Sequence, residues 1–133
     1  MKKNMIKKSI ATMLAITTLL SSAVTTNAST CNTIYGAMTY TLTKPETKAV
    51  HACTSITCGS KSFSYIRTAL EIQYNSTGQT VGQSSSIEKY KKGYTISTNC
   101  MVRILDSTTT YAAFSCHEIV GTTAYAKYKC TTF

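Results

Sequence analysis

Residues 65–74 read YIRTALEIQY, and this stretch decides the fold class. Two sets of side chains alternate along it, one mainly apolar and one mainly polar: Ile66, Thr68, Leu70, Ile72 and Tyr74 against Tyr65, Arg67, Ala69, Glu71 and Gln73. Because successive side chains of a β-strand point to opposite faces, the pattern predicts a strand with one face in the core and the other in water. Residues 75–78, Asn-Ser-Thr-Gly, then supply a turn, so we expect residues 79–83 to return as a hairpin partner.

Four further segments are predicted to be strands, with the clearest alternation in residues 33–42 and 94–105, which gives an expectation of six to seven strands in all. These segments are residues 33–42, 94–105, 110–120 and 122–131. Residues 47–61 have no sustained period, and we interpret them as a loop with room for a helical turn near Val50. Residues 84–93 are interpreted as a loop or a single helical turn. We therefore expect an all-β fold, either a small antiparallel β-sandwich or a small barrel.

Composition supports this fold class and excludes several kinds of protein. The chain has 133 residues, with nine Tyr, no Trp and one Pro. Threonine and tyrosine favour strands, and long runs of Ala, Glu and Leu suited to surface helices are missing. A chain of this length excludes a multidomain protein and a large cofactor-binding enzyme, and we expect no cofactor.

Residues 1–28 have the pattern of a secretory signal peptide. Four lysines precede an apolar run at residues 10–24, and small residues follow at positions 26–28. We expect cleavage after Ala28, which would leave residues 29–133 as a single secreted, extracellular domain. That domain keeps 10 basic and 5 acidic residues, a formal charge of +5 instead of the +9 of the whole chain. It contains no apolar stretch long enough to predict a transmembrane segment.

All six cysteines lie beyond this leader, at Cys31, Cys53, Cys58, Cys100, Cys116 and Cys130. An even number of cysteines on an exported chain predicts three disulfides that staple a small core. If Asp106 and Thr110 close a tight turn, the antiparallel register places Cys100 directly opposite Cys116. The remaining pairs would then be Cys53 with Cys58 and Cys31 with Cys130, which is one of 15 connectivities that six cysteines allow.

A metal site is the alternative use of these thiols. Cys53 and Cys58, with His51 two residues earlier, provide thiolate and imidazole groups at close spacing. The second half that a zinc site requires, such as another Cys-x-x-Cys or a His-x3-His, is missing. We therefore predict no metal.

Candidate acid–base residues are few. His51, His117 and Glu118, with Arg67 and Arg103 to hold a phosphate, contain the groups that a small phosphodiesterase needs. Because neighbouring strand residues point to opposite faces, His117 and Glu118 cannot enter one pocket if both lie in a strand. The sequence has neither a nucleophile elbow nor a paired-carboxylate motif. We assign no catalytic residue and expect a binding protein in preference to an enzyme.

The clearest binding candidate interleaves cations with aromatic rings at residues 89–94. The predicted contacts are Lys89, Tyr90, Lys91, Lys92 and Tyr94. Such a surface suits polyanions, whereas the simpler interpretation is a solvated turn whose lysines keep the domain soluble. For an exported domain at +5, an anionic cell-surface polymer, a glycan or a protein is a better partner than nucleic acid.

These observations predict a secreted, disulfide-bonded binding module that acts at a cell envelope, a host protein or a glycan surface. Two alternatives remain open at this point. The first is an antagonistic protein of the bacteriocin or toxin type, consistent with small size, export and positive charge. The second is a small basic secreted hydrolase such as a nuclease, which would depend on the histidines and arginines named above.

Overall fold

In a computed structural model that describes residues 28–44, 49–104 and 108–133, the chain forms eight β-strands in two antiparallel sheets. The strands are β1 (Ser29–Thr33), β2 (Gly36–Thr43), β3 (Ala49–Thr57), β4 (Tyr65–Tyr74), β5 (Thr80–Lys89), β6 (Thr95–Arg103), β7 (Tyr111–Val120) and β8 (Tyr125–Thr132). The described residues contain no helix, so the expected all-β class is confirmed, but there are eight strands and not the six to seven expected. The predicted leader lies outside the described residues, apart from Ala28.

The two sheets pack face to face as a sandwich, not a barrel. The first sheet has the order β1-β2-β3-β6, and the second has the order β5-β4-β7-β8. Three pairs of consecutive strands lie in different sheets: β3 and β4, β5 and β6, and β6 and β7. The chain therefore crosses between the sheets three times, and each sheet is completed by strands distant in sequence. In the described ranges, no helix has the length and apolar character needed to cross a bilayer.

The strands predicted at residues 65–74, 94–105, 110–120 and 122–131 are confirmed as β4, β6, β7 and β8, and residues 79–83 lie in the expected hairpin partner, β5. Three other predictions need correction. Residues 36–42 of the predicted strand 33–42 form most of β2, but a turn at Ile34 and Tyr35 separates them from Thr33, which ends β1. In this turn the Thr33 hydroxyl accepts from the Tyr35 amide (3.1 Å) and donates to the Gly36 carbonyl (2.7 Å). Residues 49–57 form β3 instead of a loop, with small inward residues such as Ala52 that weaken the apolar signal. Residues 84–89 continue β5, an edge strand rich in serine.

The core has two apolar clusters separated by a polar layer. One cluster contains Tyr35, Met38, Ile56, Cys58, Phe63, Ile66, Ile96 and Ile119. The other contains Leu42, Val50, Ala52, Leu70, Ile72, Cys100, Val102, Ile104, Tyr111 and Ala113. Along β3, β4, β6 and β7, the inward positions between the two clusters are Thr54, Thr68, Thr98, Ser115 and His117.

Hydrogen bonds satisfy this polar layer and join the two sheets. The Thr68 hydroxyl on the second sheet lies 2.6 Å from the hydroxyls of both Thr54 and Thr98 on the first. His117 Nδ1 lies 2.8 Å from Thr54 Oγ1, and His117 Nε2 lies 2.8 Å from Ser115 Oγ. Burial, followed by the charge of nearby Lys129, lowers the pKa of His117 to about 3. The imidazole is therefore neutral at physiological pH.

The outward face of β4 was predicted to be wet, and this prediction was wrong. Arg67, Glu71 and Gln73 are each less than a tenth exposed, because β4 lies between β5 and β7 and their side chains cover it. Arg67 forms an ion pair with Glu118 on β7 (2.7 Å). Glu71 Oε1 accepts hydrogen bonds from Gln73 Nε2 (2.9 Å) and from the Thr80 hydroxyl (2.5 Å).

No disulfide joins any of the six cysteines, all of which lie in the described residues, so the predicted pairs are not formed. Strand β6 pairs with β3 and strand β7 pairs with β4 and β8, so Cys100 lies opposite Ala52, not opposite Cys116. The predicted register was wrong because alternation identifies the face of a residue but not the strand beside it.

The other two predicted pairs fail for separate reasons. Cys53 points outward from β3, whereas Cys58 follows the same strand and is buried in the core, so the two thiols face opposite sides of the sheet. Cys31 pairs with Met38 and packs against the core, whereas Cys130 pairs with Phe114 on the outer face of the second sheet, so their thiols lie on opposite sides of that sheet.

Candidate anion-binding end

The predicted binding residues lie at one end of the sandwich, where Lys89 ends β5 and two loops meet. The loops are the β3–β4 loop, residues 58–64, and the β5–β6 loop, residues 90–94. The Cys58 amide donates to the Tyr94 carbonyl (2.8 Å), and the Gly93 amide donates to the Cys58 carbonyl (3.1 Å). Gly93 has a φ of 79°, a conformation that glycine adopts at little cost. The loops therefore form one continuous surface.

Tyr90 joins the two loops through a hydrogen bond and a ring contact. Its hydroxyl donates to the Gly59 carbonyl (2.6 Å), and its ring packs edge-on against Phe63 with centroids 5.1 Å apart. The side chain is half-buried. Of the five residues predicted to bind, Tyr90 thus holds the two loops together and presents little of its ring to a partner.

The other four predicted residues are exposed. Tyr94 has 61 % of its surface in solvent, and the Lys91 ammonium lies 5.5 Å from the centre of its ring. Lys89 ends β5, where its register partner is Tyr65. Lys92 extends into solvent beside Gly93. Lys91 and Tyr94 thus form a cation–π pair at the outer edge of the loop.

Lys61 joins this surface although no local sequence pattern indicates it. It lies 28 residues before Lys89 but in the loop that hydrogen-bonds to residues 90–94. Only the crossing of the chain between sheets brings these loops together, so no local pattern could have indicated it. We name the surface formed by Lys61, Lys89, Lys91, Lys92 and Tyr94 the basic end.

The charge of the basic end is not neutralised locally. Neither loop contains an acidic residue, and none of the four lysines forms an ion pair with a described residue. Glu88 is half-buried on the face of β5 opposite to Lys89, and Glu118 is paired with Arg67. Four exposed ammonium groups therefore share one surface of positive potential.

A column of aromatic rings beneath the basic end holds the loops in place. The centroid of Tyr35 lies 5.5 Å from that of Phe63 and 6.2 Å from that of Tyr125. The Tyr35 hydroxyl accepts from the Thr123 amide (2.9 Å) and is 3.0 Å from the Thr123 carbonyl oxygen. This column links the β1–β2, β3–β4 and β7–β8 loops, so the basic end is built on a packed support.

The residues considered for acid–base catalysis are not brought together. His51 is exposed on the outer face of the first sheet, whereas His117 is fully buried between the sheets. Glu118 points away from His117 and pairs with Arg67, as the strand alternation predicted. Arg103 ends β6, at the opposite end of the sandwich from the basic end.

One arrangement with the outline of a catalytic triad was not foreseen. Ser115 and Thr54 each lie 2.8 Å from a different ring nitrogen of His117, as a nucleophile and an orienting group would. All three side chains are fully buried, so a substrate has no access to the serine. We interpret the arrangement as structural. Within the described ranges, no group of three or more His, Cys, Asp or Glu side chains is placed to hold a metal ion.

Comparison with known proteins supplies no family for this chain. No protein-family model matches the sequence, and a search of the curated proteins finds no significant match.

Proposed function

We propose that the protein is a secreted binding module that attaches through its basic end to an anionic polymer of a cell envelope. The observation that carries the proposal is the placement of four exposed lysines, Lys61, Lys89, Lys91 and Lys92, in or directly beside two hydrogen-bonded loops that contain no acidic residue. Export is part of the proposal because residues 1–28 have the composition of a signal peptide.

The chemistry of the surface favours a polymer that combines phosphate with hydroxyl groups. Lysine ammonium groups act as mobile point charges toward phosphate oxygens. The exposed Tyr94 ring offers a rigid amphipathic surface for a polyol or sugar unit. Ser60, Ser62 and Ser64 in the adjoining loop are exposed and add hydroxyl donors. A polyol-phosphate wall polymer contains all the groups that this set can contact.

The geometry gives less support to the alternatives. A hydrolase would need His51 and His117 in one cleft, but one histidine is exposed on an outer face and the other is buried. An antagonist of the bacteriocin type would use the same positive charge to damage a membrane. Leakage of dye from phosphatidylglycerol vesicles at micromolar protein would favour that alternative over attachment to a wall polymer.

The test compares retention on cell walls that carry polyol phosphate with retention on walls from which it has been extracted. We expect the wild-type protein to bind the former and not the latter. The double variant Lys91→Glu/Lys92→Glu should lose retention, because it reverses two charges at the basic end. The matched control Lys44→Glu/Arg103→Glu makes the same charge change at the opposite end and should bind normally. Equal retention on both kinds of wall would refute the proposal.

A further inference from the structure

A row of hydroxyl side chains crosses all four strands on the outer face of the first sheet. Successive side chains of a strand point to opposite faces, and the core takes the residues of β2, β3 and β6 that alternate with this row. In the strand order β1-β2-β3-β6, the row consists of the paired residues Thr30, Thr39, Ser55 and Ser97. Strands β2 and β3 each pair on both sides, so the middle of the row is held by two hydrogen-bonded ladders.

The hydroxyls of this row are open to a partner. Thr30 and Ser97 are exposed, and Thr39 and Ser55 are half-buried. Thr41, the next outward residue of β2, is also half-buried. Within the described part of the chain, none of these five hydroxyls forms a hydrogen bond. Each can therefore donate one hydrogen bond and accept two.

The face is nearly free of charge, which limits the kind of partner it fits. Among its described residues, Arg103 at the end of β6 is the only Lys, Arg, Asp or Glu. The same outward positions hold no Tyr, Phe or Trp, and Met101 is their one large exposed apolar side chain. A polyanion would need cations here, and a protein interface usually centres on aromatic or large apolar anchors. Charge and hydrogen-bonding capacity both match a neutral partner rich in hydroxyl groups.

We propose that the outer face of the first sheet binds a neutral polysaccharide. Each hydrogen bond between a sugar hydroxyl and the row replaces one with water, so a single contact contributes little. A polymer that lies along the row makes several such contacts at once, and their contributions combine. This site is separate from the basic end, and the proposal does not depend on what the basic end binds.

The test measures how much of the folded protein sediments with insoluble chitin or cellulose, two neutral polysaccharides. We expect retention that high salt leaves unchanged, because salt screens contacts between charges and this face has almost none. Lys91→Glu/Lys92→Glu should be retained as the wild type is, since the basic end takes no part. Failure of the basic end to bind an anionic polymer is thus distinguishable from failure of this site.

Thr39→Val/Thr41→Val removes two hydroxyls of β2 and keeps the shape and strand preference of the side chains. We expect its retention on the polysaccharide to fall several-fold, with unfolding by urea close to that of the wild type. The matched control Thr123→Val/Thr132→Val removes two exposed hydroxyls from other surfaces and should be retained normally. Three outcomes would overturn the proposal: no retention of the wild type on either polysaccharide, equal retention of the two double variants, or retention that disappears at high salt.

Discussion

His117 Nδ1 lies 2.8 Å from the hydroxyl oxygen of Thr54, a residue of the opposite sheet. With the Thr68 hydroxyl, which bridges to Thr54 and Thr98, this contact joins the sheets through hydrogen bonds at the level where the apolar core is interrupted. A buried polar group without a partner is costly, so each member of the layer depends on the others. The layer therefore requires a neutral imidazole and intact hydroxyls.

The first prediction is that the folded protein loses stability as the pH falls. The pKa of His117 is about 3 in the folded protein against 6.5 for an ordinary histidine, so well above pH 6.5 the ring is neutral in both states. As the pH falls toward 3, the unfolded chain takes up a proton that the folded chain does not, and the free energy of unfolding should fall by about 4 kcal/mol. Urea unfolding between pH 7 and pH 3.5 measures this loss.

The variant His117→Gln isolates the contribution of the ring from that of the carboxylates. Glutamine keeps a donor and an acceptor but does not titrate, so the fall in stability with acid should be shallower than in the wild-type protein. His51→Gln is the matched control, since His51 is exposed, and it should leave the slope unchanged. Parallel slopes for the wild type and His117→Gln would show that the buried ring does not control acid sensitivity.

A second prediction tests the hydroxyl bridge. Thr68→Val removes the group that bonds to both Thr54 and Thr98 and leaves their hydroxyls with fewer partners in the core. We expect a loss of about 1–3 kcal/mol in unfolding free energy. Thr57→Val removes a comparable contact with Thr95 (2.8 Å) at an exposed site and should cost less than about 0.5 kcal/mol. Equal losses would contradict a special role for the layer.

A third prediction concerns the support of the basic end. A Cβ at Gly121 would overlap the phenol oxygen of Tyr35, whose ring packs against Phe63. Gly121→Ala should therefore destabilise the protein by about 1–3 kcal/mol. A Cβ at Gly59 would meet no atom within 4 Å, so Gly59→Ala is the control and should have little effect. Chemical denaturation of the two variants distinguishes them, and an unaffected Gly121→Ala would argue against this close packing.

A fourth prediction separates the Tyr94 ring from the stability of the fold. Because the ring is 61 % exposed, Tyr94→Ala should leave the unfolding free energy within about 0.5 kcal/mol of the wild type. Its affinity for a polyol-phosphate polymer should fall several-fold, since the surface paired with Lys91 is removed. Met101→Ala removes another large exposed side chain, on the outer face of the first sheet, and should bind normally. Unchanged affinity of Tyr94→Ala would exclude the ring from the contact.

Much of the fold could be predicted from local periodicity, and the failures have a common physical cause. Strand β4 was identified with its inward face correct, because Ile66, Leu70 and Ile72 alternate with polar residues. Alternation of apolar residues shows which face of the sheet a side chain lies on, but not which strand lies beside it. The predicted hairpin of β6 with β7, in which Cys100 would lie opposite Cys116, was therefore wrong, because β6 pairs with β3 and β7 with β4. In β3 and β5 many inward residues are small or polar, so the alternation of apolar and polar residues is too weak to indicate a strand.

Part of the basic end could likewise be predicted from the sequence, and part could not. Lys89, Lys91, Lys92 and Tyr94 are close in sequence, and their exposure could be predicted from composition alone. Lys61 joins them only through backbone contacts between two loops, which depend on the order of strands in the sandwich. The supporting role of Tyr90 depends on Gly59 and Phe63, which are distant in sequence.

The most direct test of the basic end is the dissociation constant for purified poly(glycerol phosphate), measured by calorimetry at moderate ionic strength. The structure predicts that Lys91→Glu/Lys92→Glu raises this constant about tenfold or more, equivalent to at least about 1.4 kcal/mol. The control Lys44→Glu/Arg103→Glu, with the same net charge, should bind almost as the wild type does. Equal weakening by the two double variants would show that only net charge matters and would contradict a specific binding site at the basic end.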